Sequence, residues 1–511
     1  MSTLSARVAA LTADRLAGMR RGIEKEGLRV LPAGELALTP HPRALGSALT
    51  HSSITTDYSE SLLELITHPQ TSVQACLDEL TELHQVALQV LSRQGEPEML
   101  WNASMPSLLP PDETIPLGRY GSSNIGRAKS VYRMGLGHRY GRRMQTIAGL
   151  HYNWSLPQID TDQYFGLIRN FRRHSFVLLY LYGASPVLGP SFVEGRDHAL
   201  QPLGDGKGAL GLPHATSLRM GRLGYQSDAQ ASLAVSYNGL QGFAASLHEA
   251  LTRPYPAYEA MGVRSLGGDY NQLGTSLLQI ENEFYGTIRA KRVVRSGERP
   301  LHALRERGVE YIEVRLMDIN PLAPVGITAQ AMRMIDIFLL HCLLSESPPD
   351  TPEEIADLKR NQHLAAERGR EPGLRLARGH GDVLLTDWAA EILDACAPIA
   401  ERLDAAYGGS AYAEALAEAR AAVREPRHTL SAQVLEQVTR LHGNDYIAFA
   451  AARSDVARQM VLARPWSSEQ EERYCTLARQ SHERQRAIEA ADTLTFEAWR
   501  LRYMAQEQFA V

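Results

Sequence analysis

Residues 21–30, RGIEKEGLRV, constrain the fold most, because they place two carboxylates in a predicted strand. Side chains two positions apart lie on the same face of a strand, roughly 6.6 Å from each other. At that distance Glu24 and Glu26 repel by about 2.5 kcal/mol at an effective dielectric constant of about 20. The stretch alone leaves two interpretations: a strand face in contact with water, or a pair of acids that holds a divalent cation.

The balance of charge argues against a protein that coats nucleic acid. Lysine and arginine number 53 against 58 aspartate and glutamate residues, a net charge of −5, whereas nucleic-acid binding favours a basic surface. Local basic clusters such as HRYGRR, residues 138–143, instead favour a small anionic substrate. With 44% apolar and 22% charged residues, a chain of 511 residues can form a large globular core.

The compartment is predicted from patterns that the sequence lacks. The first residues show no secretory signal, and no run approaches the roughly 18 uninterrupted apolar residues of a membrane span. Cys76, Cys342, Cys396 and Cys475 are widely spaced without a CxxC pattern, which argues against a zinc site or a disulfide framework. We therefore predict a cytoplasmic protein without nucleic-acid or membrane partners, and a monomer, because no self-pairing stripe is apparent.

The spacing of apolar residues predicts a sheet-bearing part followed by a helical part. The predicted helices are 5–19, 72–93, 161–182, 239–250 and 329–344; the predicted strands are 21–30, 148–156, 277–285 and 309–315; the loop-rich stretches are 101–130 and 187–230. Residues 59–67 fit either a strand or the start of a helix. Beyond residue 349 the composition predicts helices almost throughout. We therefore predict a sheet-bearing domain at 1–330 and a helical region at 331–511, packed as one continuous unit.

Acidic residues and one histidine lie on the predicted strands, where an ionisable side chain is unusual unless it faces a site. Glu24, Glu26, Glu64, His151 and Glu313 form an oxygen-rich donor set with one imidazole, which suits Mg²⁺ or Mn²⁺ better than zinc or iron. Sites of this kind normally share the ion with the phosphates of a nucleotide. No GxxxxGK[ST] motif accompanies them, however.

Cationic side chains must offset the charge of any phosphate that the chain handles. Arginine is usually a surface charge, but Arg315 is predicted to share a strand face with Glu313 in an otherwise apolar strand. The glycine-rich residues 204–208 match no phosphate-binding pattern and are interpreted as a mobile loop, and no GxSxG elbow supports covalent catalysis. The cationic candidates are Arg127, Lys129, Arg133, Arg219, Arg289, Lys291, Arg292 and Arg315.

Six ordered blocks of sequence carry a resemblance to a known family. They are RGIEKEGLR at 21–29, ITTDYSESLLELIT at 54–67, YGSSNIGRAK at 120–129, YGRRMQTIAGLHYNWSLP at 140–157, QIENEFY at 279–285 and EYIEVRLMDINP at 310–321. Across residues 20–325, and more loosely at EAAD, 489–492, the chain resembles the proteobacterial type of glutamate–cysteine ligase.

The resemblance implies an α+β fold related to glutamine synthetase and the guanidino kinases, an antiparallel sheet funnel with a helical C-terminal region. It implies a ligase that transfers the γ-phosphoryl group of ATP to the γ-carboxylate of glutamate. The amine of cysteine then displaces phosphate and gives γ-glutamylcysteine, the first step of glutathione biosynthesis. The expected cofactor is Mg²⁺, as two or three ions, or Mn²⁺, with ATP as co-substrate.

The resemblance also implies roles for individual residues. Arg315 falls on the arginine that stabilises the transferring phosphoryl group, and together with Glu313 it is the expected catalytic pair. The implied metal ligands are Glu24, Glu26, Asp57, Glu64, His151 and Glu313; the implied substrate-binding residues are Tyr58, Tyr132, Arg133, Gln145, Arg219, Tyr225 and Tyr285; ATP contacts are expected at Arg289, Lys291 and Arg292. Position 58 is Tyr where some members have Phe, so its hydroxyl needs a polar partner.

Two alternatives stay open. A related ligase could join glutamate to another amine, a choice that the pocket around Tyr58, Tyr132 and Tyr225 would decide. A non-catalytic sensor could have kept the fold in order to bind metal and nucleotide, although the complete set of acids argues against it.

Overall fold

A computed structural model of the chain describes residues 3–204, 208–224, 228–231, 233–295 and 297–505. Its strands are β1 (Arg20–Val30), β2 (Ile54–Thr56), β3 (Leu62–Ile66), β4 (Met99–Leu100), β5 (Leu150–Ser155), β6 (Val187–Leu188), β7 (Gln201–Pro202), β8 (Leu210–Gly211), β9 (Ile288–Lys291), β10 (Tyr311–Met317), β11 (Arg375–Arg378) and β12 (Gly381–Leu384). Its α-helices are α1 (Thr3–Ala9), α2 (Ala13–Ala17), α3 (Val73–Ser92), α4 (Asn124–Tyr140), α5 (Thr161–His174), α6 (Phe176–Tyr182), α7 (Asp228–Ala231), α8 (Leu240–Thr252), α9 (Pro256–Met261), α10 (Pro300–Arg307), α11 (Ala329–Leu344), α12 (Pro352–Arg368), α13 (Leu385–Ala395), α14 (Ala397–Tyr407), α15 (Ala411–Arg424), α16 (Leu430–Leu441), α17 (Tyr446–Leu462), α18 (Ser468–Ala491) and α19 (Phe496–Met504).

The main sheet is antiparallel, and helices pack against it in a mixed α and β fold. Within the described residues it has seven strands, ordered β2-β3-β1-β5-β10-β9, with β4 also paired to β1. The strand predicted at 21–30 is therefore β1, in the middle of the sheet, and residues 59–67 provide strand β3 rather than a helix.

The two faces of the central strands differ in polarity, as strand alternation requires. Tyr152, Trp154, Ile312 and Val314 are buried on one face, in the main hydrophobic core. Helix α3 packs against β1 and β3, α5 packs against β9, and α11 packs on α3 and α5. The predicted alternation in residues 148–156 is thus confirmed, and the opposite face is left for polar side chains.

Two predicted helices are each divided into two. At 5–19 the chain forms α1, which ends at Ala9, and α2, which Thr12 caps by accepting a hydrogen bond from the backbone N–H of Arg15. At 161–182 it forms α5 and α6, which meet at Ser175. Residues 176–181 of α6 are all buried, so this apolar run is a separate core helix.

The predicted strand at 277–285 is wrong. Glu281–Glu283 form a 3₁₀ turn, and both carboxylates are buried in ion pairs with different partners. Glu281 pairs with Arg299 at 2.9 Å and Glu283 with Arg139 at 2.7 Å. A strand would point both acids to one side, which cannot satisfy two separated cations.

Further elements differ from the prediction. Helix α4 begins at Asn124, inside the stretch predicted as loop, because the Ser123 side chain accepts a hydrogen bond from the N–H of Gly126. Strand β9 was not predicted, and the hairpin of β11 and β12 interrupts the predicted helical region. Among the residues described, no helix combines the length and apolar character that crossing a membrane requires.

A buried ion pair joins β1 to α11. Arg21 and Asp336 approach to 3.1 Å with both side chains fully buried. The Tyr152 hydroxyl donates to Asp336 at 2.9 Å, the Tyr412 hydroxyl at 3.4 Å, and Arg21 also donates to the carbonyl of Thr71 at 2.6 Å. Removing one partner of such a network leaves the other charge uncompensated inside the protein.

We expect Asp336→Ala to lower the free energy of unfolding by about 3–5 kcal/mol, because Arg21 would remain buried without its carboxylate. Urea unfolding followed by circular dichroism measures this change. Asp394→Ala is the matched control, since Asp394 pairs with Arg420 while 74% of its side chain is exposed, and it should change stability very little. Equal losses in the two variants would contradict the role given to the buried pair.

Candidate active site

Three strands bring carboxylates and one imidazole together on the polar face of the sheet. Glu26 of β1 stands directly opposite Glu64 of β3, and Glu24 stands opposite His151 of β5. Donor atoms of Glu24, Glu64 and His151 lie within 4.8 Å of one another. These four residues and Asp57, which follows β2, line one cavity of about 310 Å³. We name it the acid cavity; its donors are those that Mg²⁺ and Mn²⁺ prefer.

The charges of these acids are only partly matched by neighbouring cations. Burial raises the pKa of Glu26 to about 8, and the nearby carboxylate of Asp57 adds to the rise. Burial and the repulsion of Glu24 and Asp57 hold the pKa of Glu64 well above its usual value. Carboxylates that resist ionisation for these reasons would gain from a divalent cation between them, so the donor set fits such an ion.

Cations surround the next acid along the sheet. Glu313 of β10 is almost fully buried and lies 3.1 Å from Arg315, 3.2 Å from Arg289 and 3.4 Å from Lys291. Burial alone would raise the pKa of Glu313, but Lys291, Arg315 and Arg289 together hold it well below its usual value. His151 lies 3.6 Å from the same carboxylate. One carboxylate thus holds three positive side chains beside the acid cluster.

Helix α4 closes the acid cavity from the other side. Lys129, Tyr132 and Arg133 project into it, and Arg133 pairs with Asp57 at 3.4 Å. The ring of Tyr120 lies beneath Lys129 and Arg133, at 4.8 and 4.5 Å from its centre. This helix was not predicted; Ser123 before Asn124 is the capping signal that could have revealed it.

The predicted substrate-binding residues are only partly brought together. Gln145 and Tyr285 line the acid cavity and are joined by a hydrogen bond of 3.2 Å. Arg219 is buried behind Arg315, donates to its backbone carbonyl at 2.9 Å, and lines a small adjoining cavity with it. Tyr58 is buried outside the acid cavity, and its hydroxyl has no hydrogen-bond partner among the described residues. Tyr225 lies outside the residues described.

A second cavity, of about 320 Å³, adjoins the first and was not predicted. We name it the apolar cavity, because Phe243, Leu247 and Phe284 contribute to its wall. It shares Asn282, Arg289 and Lys291 with the acid cavity, and Arg292 lies only on its side. No local sequence signal marks it, since its walls come from α8, α10, β9 and the 281–283 turn.

We expect Glu64→Gln to remove one cation ligand and a desolvated carboxyl whose ionisation its neighbours oppose. Without divalent ions the variant should unfold at the wild-type temperature or above, because a neutral amide replaces that carboxyl. At Mg²⁺ concentrations about a hundred times the dissociation constant, the wild type should gain about 2.7 kcal/mol and the variant much less.

Thermal unfolding with MgCl₂ and with a chelator measures both effects. Glu310→Gln removes an exposed acid outside the acid cavity and is the control, expected to keep the full Mg²⁺ response. An equal Mg²⁺ response in the Glu64 and Glu310 variants would show that the cation binds elsewhere.

Comparison with known proteins confirms the resemblance found in the sequence. A family model described as glutamate-cysteine ligase matches residues 7–365. The chain is 46% identical to the glutamate–cysteine ligase of Hahella chejuensis, over 96% of each chain, and 46% identical to that of Alcanivorax borkumensis, over 98% of this chain and 99% of the other.

Solved structures give the same result. A crystal structure of the glutamate–cysteine ligase of Francisella tularensis, in complex with AMP, is 34% identical with a TM-score of 0.89, covering 95% of this chain and 97% of that one. A bifunctional glutathione synthetase from Pasteurella multocida is 22% identical and shares the fold, with a TM-score of 0.70 over 91% of this chain and 57% of the other. The chain therefore belongs to the glutamate–cysteine ligase family.

Proposed function

We propose that this protein is an ATP-dependent ligase that joins the γ-carboxylate of glutamate to the amine of cysteine. The observation that carries the proposal is one cavity in which a cluster of carboxylates adjoins three cations held by Glu313. Phosphoryl transfer depends on neutralising charge and aligning the reactants more than on a covalent helper. The AMP bound by the Francisella relative supports a nucleotide site in this fold.

The two adjoining cavities suggest where each part of the substrates binds. The adenine ring suits the apolar cavity, whose wall includes Phe243 and Phe284. The phosphates would then pass Arg289 and Lys291, which border both cavities, and end near Arg315. Arg292 would contact the nucleotide from the apolar cavity alone.

Divalent ions would be held by the acid cluster on the opposite side. Glu24, Glu26, Asp57, Glu64 and His151 would hold them, with Glu313 at the border of the cation group. Bound Mg²⁺ or Mn²⁺ supplies charge neutralisation for the phosphate oxygens. We also propose the funnel arrangement of glutamine synthetase and the guanidino kinases, supported by an antiparallel sheet whose polar face lines the acid cavity.

The chain's own residues account for the remaining requirements. Arg315 provides a fixed positive charge where the γ-phosphoryl group leaves ADP for the glutamate carboxylate, and Arg219 fixes the backbone of Arg315 from behind. Tyr132, Gln145 and Tyr285 offer hydrogen-bonding groups for the amino acids. The amine of cysteine then attacks the acyl carbon, phosphate leaves, and the amine gives up a proton.

Three further expectations remain proposals. We propose that the sheet-bearing part, up to residue 330, and the helical part after it form one continuous unit. One hydrophobic core contains residues of both parts, among them Trp154, Phe338 and Leu393. A monomeric state and a cytoplasmic location remain predictions of the sequence.

ADP release from ATP and Mg²⁺ tests the function directly. We expect the rate to require glutamate and cysteine together, with γ-glutamylcysteine identified by mass. Turnover with glutamate and another amine, but not with cysteine, would keep the mechanism and change the substrate. The absence of ADP release with every amine would overturn the proposal.

We expect Arg315→Gln to lower kcat by about 10²–10³-fold, because a positive charge is lost where negative charge develops. The KM for each substrate should change far less, as expected for a contact made in the transition state. Steady-state kinetics measures this, with Arg305→Gln, an exposed arginine of α10, as the control. A large rise in the KM for ATP with kcat unchanged would assign Arg315 to binding instead.

A further inference from the structure

The last helix of the described chain reaches the acid cavity. Tyr503 of α19 lines this cavity together with Ile125, Ala128, Leu273 and Ile280, and it does not line the apolar cavity. Residue 503 lies far beyond residues 7–365, which the family model matches. The wall opposite the acid-bearing strands is therefore completed by a part of the chain that lies beyond the family model.

Tyr503 is linked to the turn that separates the two cavities. The guanidinium of Arg299 lies 4.5 Å from the centre of the Tyr503 ring, a cation–π contact. On its other side, buried Arg299 pairs with Glu281 at 2.9 Å, and Glu281 also accepts from the N–H of Leu301, in the first turn of α10. The next residue, Asn282, borders both cavities. Through Arg299 and Glu281, Tyr503 therefore supports the turn that forms the wall between the two cavities.

The segment before Tyr503 holds helix α4 at its N-terminus. Carboxylates of Glu489 and Asp492 accept hydrogen bonds from the N–H groups of Ser122 and Asn124. A Cβ atom on Gly121, whose φ is +83°, would lie only 2.4 Å from a carboxylate oxygen of Glu489, so the two segments are packed closely. Negative groups near the N-terminus of a helix also interact favourably with the helix dipole. The same helix carries Lys129, Tyr132 and Arg133 into the cavity.

Phe496 and Arg500 of α19 strengthen this attachment. Phe496 packs with Ala128 and Leu273, and Arg127 lies 4.5 Å above the Phe496 ring. Arg500 donates to the carbonyl of Leu273 at 2.6 Å while it is buried. Helix α19 is thus held against α4 and the loop around residue 273, with Tyr503 directed at the cavity.

We propose that Tyr503 is a positioning residue for the amino-acid substrates, fixing the cavity wall formed by α4, Leu273 and the 281–283 turn. This inference rests on the proposed function. Because Tyr503 borders the acid cavity and not the apolar cavity proposed for the adenine ring, its loss should affect the amino acids more than the nucleotide. The ring is the part of the side chain that makes the cation–π contact with Arg299.

Steady-state kinetics of Tyr503→Ala, Tyr503→Phe and Leu501→Ala tests this. Loss of the ring should raise the KM for glutamate or cysteine about tenfold, the change that a contact of about 1.4 kcal/mol gives, and leave the KM for ATP within about twofold. Tyr503→Phe should restore near-wild-type values. Leu501, 56% exposed on the same helix, is the matched control and should behave like the wild type.

A merely structural role would give a different result, because partial misfolding lowers kcat for all substrates without separating their KM values. That pattern, or a Tyr503→Ala variant that matches Leu501→Ala, overturns the inference while the wild type stays active. Should Tyr503→Ala fail to fold, Tyr503→Leu keeps apolar volume but lacks the ring, and the same tenfold rise is expected. A wild type that releases no ADP overturns the proposed function first, and this inference with it.

Discussion

The structure depends on the opposition of Glu26 and Glu64 across two paired strands. Two desolvated acids that face each other across a sheet cost free energy, whether they ionise and repel or take up protons, so this pairing has to be balanced elsewhere. The apolar face behind them does so, with the rings of Tyr152 and Trp154 fully buried under α-helices. The buried pair of Arg21 and Asp336 ties the same strand to α11. A rigid sheet therefore keeps carboxylates together that would separate in a looser structure.

On the neighbouring strands β9 and β10, Glu313 balances a cluster of positive charges. Three cations this close would repel one another, and a single buried carboxylate holds them in the absence of substrate. An arriving polyphosphate can then be recognised without moving these side chains far, which reduces the cost of reorganisation on binding. The acid cluster and the cation group thus lie side by side before substrate binds. The register of five strands sets the positions of both.

Strand alternation made the acid face predictable from sequence. Glu24, Glu26, His151 and Glu313 lie in regular strands, where a period of two fixes the face of each side chain. The turn at 281–283 was mispredicted because alternation of apolar and acidic residues resembles a strand, whereas two distant arginines decide its shape. The apolar cavity and the contact of Tyr503 could not be predicted, since both arise between segments that are far apart in sequence.

The attachment of residues 489–503 to helix α4 has a consequence for the order of biosynthesis. A polypeptide emerges from the ribosome with its N-terminus first, and its early segments can begin to fold before the rest is made. The acid-bearing strand β1 precedes Tyr503 by more than four hundred residues, so it leaves the ribosome long before Tyr503. Pairing of such distant segments is slow because of the loop that must be closed. A nascent chain therefore holds the carboxylates before residues 489–503 can close the cavity, so reactive acyl phosphate would form only after that segment has been made.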